Sequence, residues 1–163
     1  MKKIVVLLVL LTLLLTGCDG LGESKPVTKV YTYQEDAGDG VIYEEQWTLD
    51  GMDDDVLDKS TAIYTYTFDN AEERADSIEE LKQGLEKEIK DLQGPFGSPY
   101  ITIDYKLDGN VFVITETIDY KTASDDGKDV EGKLDVGLMT DKEYYSISKV
   151  SEELEGEGYT LVE

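Results

Sequence analysis

Apolar and polar residues alternate along several stretches of this chain, with the period of two that marks strands burying one face. From Val41 to Leu49, Val41, Tyr43, Trp47 and Leu49 fall on one side and Glu44, Gln46 and Thr48 on the other. Glu45 interrupts the apolar side and reads as a position near a sheet edge. Val27 to Gln34 alternates in the same way, with Val27, Tyr31 and Tyr33 together. Glu35 to Gly40, rich in acids and glycine, reads as the turn that joins these two runs into a hairpin. Asp50 to Ser60 is acidic and predicts a loop. Ala62 to Phe68 then predicts a third strand, with Tyr64, Tyr66 and Phe68 opposite Ile63, Thr65 and Thr67.

The period changes after Phe68. Ala71, Ala75, Ile78, Leu81, Leu85, Ile89 and Leu92 recur at steps of three and four, which is the apolar stripe of an amphipathic helix. Asn70 with Glu73 has the spacing of a capping box, and Gly94-Pro95 stops the pattern. Gly84 inside the helix costs up to about 1 kcal/mol relative to alanine. Tyr100 to Leu107 and Val111 to Tyr120 predict a hairpin around Asp108-Gly109-Asn110. Ala123 to Gly132 reads as a charged loop and Leu134 to Met139 as a short strand. Ser148 caps an expected short helix carrying Val150 and Leu154, and Tyr159 to Val162 closes the chain as a short strand.

A sheet and a helix each need to bury one apolar face, and packing them together does so. The expected fold class is α+β: an antiparallel sheet of hairpins, one long amphipathic helix packed on one face, and a short C-terminal helix. It forms a single domain over residues 27–163.

The N-terminus follows a different pattern. Met1, Lys2 and Lys3 precede an apolar run from Ile4 to Leu15 broken only by Thr12. The run is short of the roughly 20 residues that cross a bilayer, and its flanks are those of a signal peptide. Its exit, Leu15-Thr16-Gly17-Cys18, resembles the bacterial lipobox. That resemblance implies a diacylglyceryl group on the Cys18 thiol, removal of residues 1–17, and a new amino terminus open to acylation. Residues 18–26 then form the lipidated cysteine and a polar tether. The eight residues from Asp19 to Pro26 reach at most about 28 Å. Cys18 is the only cysteine, and lipidation accounts for it.

Composition narrows the function. The formal charge of −22 repels nucleic acid and anionic headgroups, so no nucleic-acid partner is expected. The chain has no histidine, which removes histidine triads and histidine metal ligands. Arg74 is its one arginine, and no glycine-rich phosphate loop is present. Carboxylates, hydroxyls and lysines remain for chemistry.

Three groups of residues are candidates for a site. Asp53, Asp54, Asp55 and Asp58, and likewise Asp125, Asp126, Asp129 and Glu131 around Gly127, offer oxygens to a hard cation but lack EF-hand spacing. They read first as solvated loops, and no metal or cofactor is expected. Trp47 and the tyrosines at 31, 33, 64 and 66 could form an aromatic platform, although aromatics are also common strand residues. Glu45, Asp104 and Glu116 lie within strands, where a carboxylate pair flanking a cleft could hydrolyse a glycosidic bond. No catalytic residue is assigned, and an enzyme is not expected.

The order of elements carries a further resemblance. It runs from lipobox, tether, hairpin and capped acidic helix to a hairpin ending in Val113-Ile114-Thr115-Glu116-Thr117-Ile118-Asp119-Tyr120. A short helix with Leu154 follows, and then Gly158-Tyr159-Thr160-Leu161-Val162. This resembles the YehR-like family of small bacterial lipoproteins, whose function is unknown. The stretches Gly51 to Thr61 and Ser124 to Lys133 are longer than that family's pattern. The resemblance implies an α+β lipoprotein domain and supplies no catalytic residues. The expected protein is a lipoprotein anchored at the extracytoplasmic face of a cell membrane, carrying a non-enzymatic binding or interaction domain of the cell envelope with an unknown protein or small-molecule partner. A structural or stress-related envelope lipoprotein acting by protein contacts is the alternative, and a carboxylate hydrolase the weakest reading.

Overall fold

The computed structural model describes residues 24–94, 97–126, 130 and 145–162. The expected signal peptide, Cys18, most of the tether, Pro95, the strand at Leu134 to Met139, Asp129 and Glu131 lie outside the described residues.

Six strands form one antiparallel sheet: β1 (Pro26–Gly38), β2 (Val41–Met52), β3 (Leu57–Phe68), β4 (Ile101–Asp108), β5 (Val111–Asp119) and β6 (Thr160–Val162). Their order is β4-β5-β3-β2-β1-β6. The first three strands are longer than their alternating segments suggested. Gly38, Asp39 and Gly40 all take positive φ, so the β1–β2 turn closes within three residues. A Cβ on Gly40 would stand 2.1 Å from the Asp69 carboxylate and would have to displace it, and the positive φ disfavours any side chain there. The acidic stretch after Asp50 is mostly strand, and only Asp53 to Asp55 form the β2–β3 turn.

The ladder sorts side chains onto two faces. Tyr31 pairs with Trp47, Leu49 with Ser60, and Ser60 with Ile118, which is paired in turn with Ile101. This face holds the core, where Tyr31, Leu49 and Phe112 are completely buried. The other face is polar. Thr48, Thr61, Thr117 and Thr102 line up across four adjacent strands. A shallow concavity of about 670 Å³ is lined mainly by residues of that face, among them Thr32, Gln34, Gln46 and Thr65.

Three helices complete the described chain: α1 (Ala75–Leu92), α2 (Tyr120–Asp125) and α3 (Ile147–Gly156). The expected fold class, α+β with a long amphipathic helix packed on one face of the sheet, is corrected here. α1 is long, but Ile78 is its one buried residue, and Leu81, Leu85, Ile89 and Leu92 are only half-buried against the margin of the core. Among the strands it meets chiefly β4, an edge strand. The described residues form a six-stranded antiparallel sheet with one long helix against the edge strand β4 and two short ones. The physical reason is that the short helices already cover much of the core face: Ile147, Val150 and Leu154 of α3, with Tyr120 and Ala123 of α2, are buried in one cluster with Tyr31, Leu49 and Leu57, which leaves α1 the margin beside β4.

Helix ends differ from expectation for local reasons. Asn70 accepts from the amides of Glu72 and Glu73, but these bonds shape a turn over residues 71–74, and regular helix starts at Ala75. α2 was not expected. Asp119 caps it by accepting from the Thr122 amide at 2.8 Å, and Tyr120 then turns into the core beside Ser60. α3 is capped by Ser146, two residues before the expected Ser148.

Candidate functional site

Glu45 is the one acid among the described residues that is buried, at 8% exposure. It sits on β2, two strands in from the β6 edge, and not near an edge as its sequence context suggested. The register makes it the centre of a cross. Tyr33 on β1 and Tyr64 on β3 are its direct cross-strand partners. Tyr43 and Trp47 lie two residues away along β2 and therefore share its face. Directly paired side chains on one face have Cβ atoms about 5 Å apart.

The carboxylate is held by neutral donors. Trp47 donates its indole N–H to Oε1 at 2.5 Å, and the Tyr43 hydroxyl donates to Oε2. Tyr159, just beyond α3, brings a third side chain near the carboxylate. Gly158 at φ 96° turns the chain so that this tyrosine folds back over the sheet. No lysine or arginine stands within ion-pair distance of Glu45 among the described residues. Burial of a carboxylate is tolerated when hydrogen bonds replace its water, and here neutral groups supply them all.

The rings also pack on one another. Tyr33 and Tyr159 lie 5.2 Å apart between centroids, and Tyr43 and Tyr66 lie 5.0 Å apart, both pairs tilted. Burial and the hydrogen bond to Glu45 push the Tyr43 and Tyr159 hydroxyls well above the usual phenol range. Burial, followed by the charges of Glu116 and Glu45, raises Tyr64. Burial and the charge of Glu45 raise Tyr66. These phenols therefore stay neutral through the physiological range, as donors must. The side chains of Tyr33, Tyr43, Trp47, Tyr64, Tyr66 and Tyr159 are all half-buried, so part of each ring remains open to solvent.

The other sequence candidates fall in separate places. Glu116 shares the face of Glu45 but lies on β5, with β3 between them. Two strand spacings and two residues of offset put their backbones about 12 Å apart. Asp104 belongs to the opposite face of β4. The three carboxylates do not gather in one cleft. Tyr31 belongs to the core, whereas Tyr33, Tyr64, Tyr66 and Trp47 surround Glu45.

The acidic clusters hold the fold together. Asp53 accepts from the Lys25 amide at 2.8 Å and ties the β2–β3 turn to the start of β1. Asp55 accepts from the Ser146 hydroxyl at 2.5 Å and the Ser148 amide at 2.7 Å, pinning the start of α3. Asp125 pairs with Lys121, and Asp126 accepts from the Tyr100 hydroxyl. Burial raises the Asp58 carboxyl, in part offset by Lys121. Among the described residues no group of three or more acids converges as metal ligands. No helix among them is long and apolar enough to cross a membrane.

The sequence signal for the Glu45 site is the alternation Tyr43-Glu44-Glu45-Gln46-Trp47, in which two side-chain donors flank one acid on the same face. Tyr159 and Lys29 have no such signal. Lys29 reaches Ser151 on α3 at 3.1 Å, and both contacts form between segments more than a hundred residues apart.

No protein-family model and no curated protein sequence matches the chain. Among solved structures it is similar to a protein from Streptococcus pneumoniae TIGR4 determined by NMR, with a TM-score of 0.50, 14% sequence identity and 94% of each chain covered. A likeness at that identity concerns the fold alone.

Proposed function

We propose that this protein is a lipoprotein held by lipid on Cys18 at the extracytoplasmic face of a cell membrane, where its domain serves as a non-enzymatic binding module. The observation that carries the binding reading is the Glu45 site, in which a buried carboxylate without a cationic neighbour is ringed by half-open aromatic side chains. Large rigid rings give contact area at little entropic cost, which suits recognition. The Leu15-Thr16-Gly17-Cys18 exit and the resemblance to YehR-like lipoproteins support the placement at the envelope. The hydrolase reading draws no support from Asp104, which lies on the face of the sheet opposite Glu45 and Glu116.

Cell fractionation with proteolysis tests the placement. The wild-type protein should sediment with membranes and be digested by protease added to cells whose inner membrane is intact. The Cys18→Ala protein should accumulate with its leader or leave the membrane fraction. Protection of the wild-type domain from external protease would overturn the proposal.

A further inference from the structure

The chemistry of the Glu45 site narrows its ligand, and this inference rests on the binding reading above. The geometry points to an organic ammonium ion, a quaternary or protonated amine, as the ligand of the ring formed by Tyr33, Tyr43, Trp47, Tyr64 and Tyr159 around Glu45.

Three features lead there. The first is charge. Glu45 is a buried carboxyl group whose hydrogen-bond donors, Trp47 and Tyr43, are neutral, and no lysine or arginine lies within ion-pair distance of it among the described residues. The second is ring orientation. O–H and N–H bonds lie in the plane of their rings, so Tyr43 and Trp47 turn their edges to the carboxylate and their faces aside. Electron-rich faces and a carboxylate thus occupy one patch, and a cation within about 6 Å of a ring face is attracted to it. The third is the register, which places rings on both neighbouring strands and on both sides of Glu45 along β2, so a ligand above the carboxylate meets several rings together.

The same features disfavour other ligands. A hard metal ion needs about six oxygens, and Glu45 is the single carboxylate at the centre, with both oxygens engaged by donors. An anion would meet Glu45 and a formal charge of −22. That charge also raises the local concentration of cations at the surface.

Trp47 is the only tryptophan, so its emission reports on the site directly. The full-length protein in neutral detergent is titrated with choline chloride, with sodium chloride of equal strength as the salt control. 3,3-Dimethylbutan-1-ol serves as the uncharged isostere. Choline is expected to give a saturable change, with binding about tenfold tighter than the neutral alcohol. Glu45→Gln should abolish that preference while far-UV circular dichroism shows the sheet intact. Tyr64 donates nothing to Glu45, so it offers a second route should Glu45→Gln fail to fold. Tyr64→Leu removes one ring face and should weaken choline binding roughly threefold, whereas Glu44→Gln, exposed on the opposite face, should leave it unchanged. Equal binding of choline and the alcohol would overturn the ammonium ligand and leave a binding module for neutral apolar groups. No saturable change with either probe would overturn the site itself, while proteolysis of intact cells judges the envelope placement separately.

Discussion

Glu45→Ala is expected to lower the free energy of unfolding by about 3 kcal/mol at pH 7. The substitution removes the acceptor of Trp47 Nε1 and of the Tyr43 hydroxyl together. A buried donor left without a partner costs about 1–3 kcal/mol, and the half-buried rings let water reach some of these groups, which keeps the total below the sum. One charge fewer on a chain of formal charge −22 also relieves some repulsion. Glu44→Ala separates that effect, since Glu44 is exposed on the opposite face and its loss changes the charge equally. Urea unfolding should place Glu44→Ala within about 0.5 kcal/mol of wild type. If the two alanine variants were equally stable, the donors around Glu45 would be water-bonded in the native state and the description of a buried, ringed carboxylate would fail.

Asp55→Ala is expected to cost about 2 kcal/mol. Asp55 stands in the β2–β3 turn at φ 74°, a backbone conformation that alanine adopts less readily than aspartate or asparagine. Its carboxylate holds the Ser146 hydroxyl and the Ser148 amide, and Ser146 is only 1% exposed, so its hydroxyl loses its acceptor where little water can enter. This side chain thus reinforces the join between the β2–β3 turn and α3, which the backbone bond from the Ile147 amide to the Asp55 carbonyl also makes. Asp55→Asn retains the turn conformation and one acceptor and should lose about half as much. The effect carries a pH signature. Burial alone would raise the Asp55 carboxyl, but the bonds from Ser146 and Ser148, with Lys29 nearby, outweigh it and hold the group below its ordinary value of 3.8. A carboxylate depressed in the folded state adds stability above the unfolded value and loses it as pH falls through the folded one. The gap between wild type and Asp55→Ala should therefore be full at pH 7 and narrow below about pH 4. Thermal unfolding across that range measures it, and a gap that widened in acid would refute the assignment of Asp55 as a charged cap.

The sequence made some parts of this architecture legible and concealed others, for identifiable reasons. The β4–β5 hairpin was visible because Asp108-Gly109-Asn110 interrupts two alternating runs, and Gly109 takes the positive φ that such a turn requires. The β2–β3 turn was hidden. Its acids suggested a loop from Asp50 to Ser60, but Asp53 and Asp55 are fixed by Lys25 and by Ser146 with Ser148, partners that no local pattern announces. The helix over Ala75–Leu92 was visible in its stripe, whereas its place at the β4 margin was not. A stripe states that one side of a helix is apolar and says nothing of how much sheet is free to receive it. Glu45 breaks the apolar side of its run, and a single acid among apolar neighbours usually marks a solvated position near an edge. Its burial depends on Tyr43 and Trp47, which were in view two residues away, and on Tyr159, which reaches it only through the tertiary fold.

The measurement that bears most directly on the central claim is the intact mass of the protein extracted from its own membranes. The expected species is a mature chain that begins at Cys18 and carries a diacylglyceryl group, with further mass if the new amino terminus is acylated. A chain that still begins at Met1, or one with an unmodified Cys18 thiol, would contradict it, and the Glu45 site would then have to be interpreted without a lipid anchor to hold the domain at a membrane.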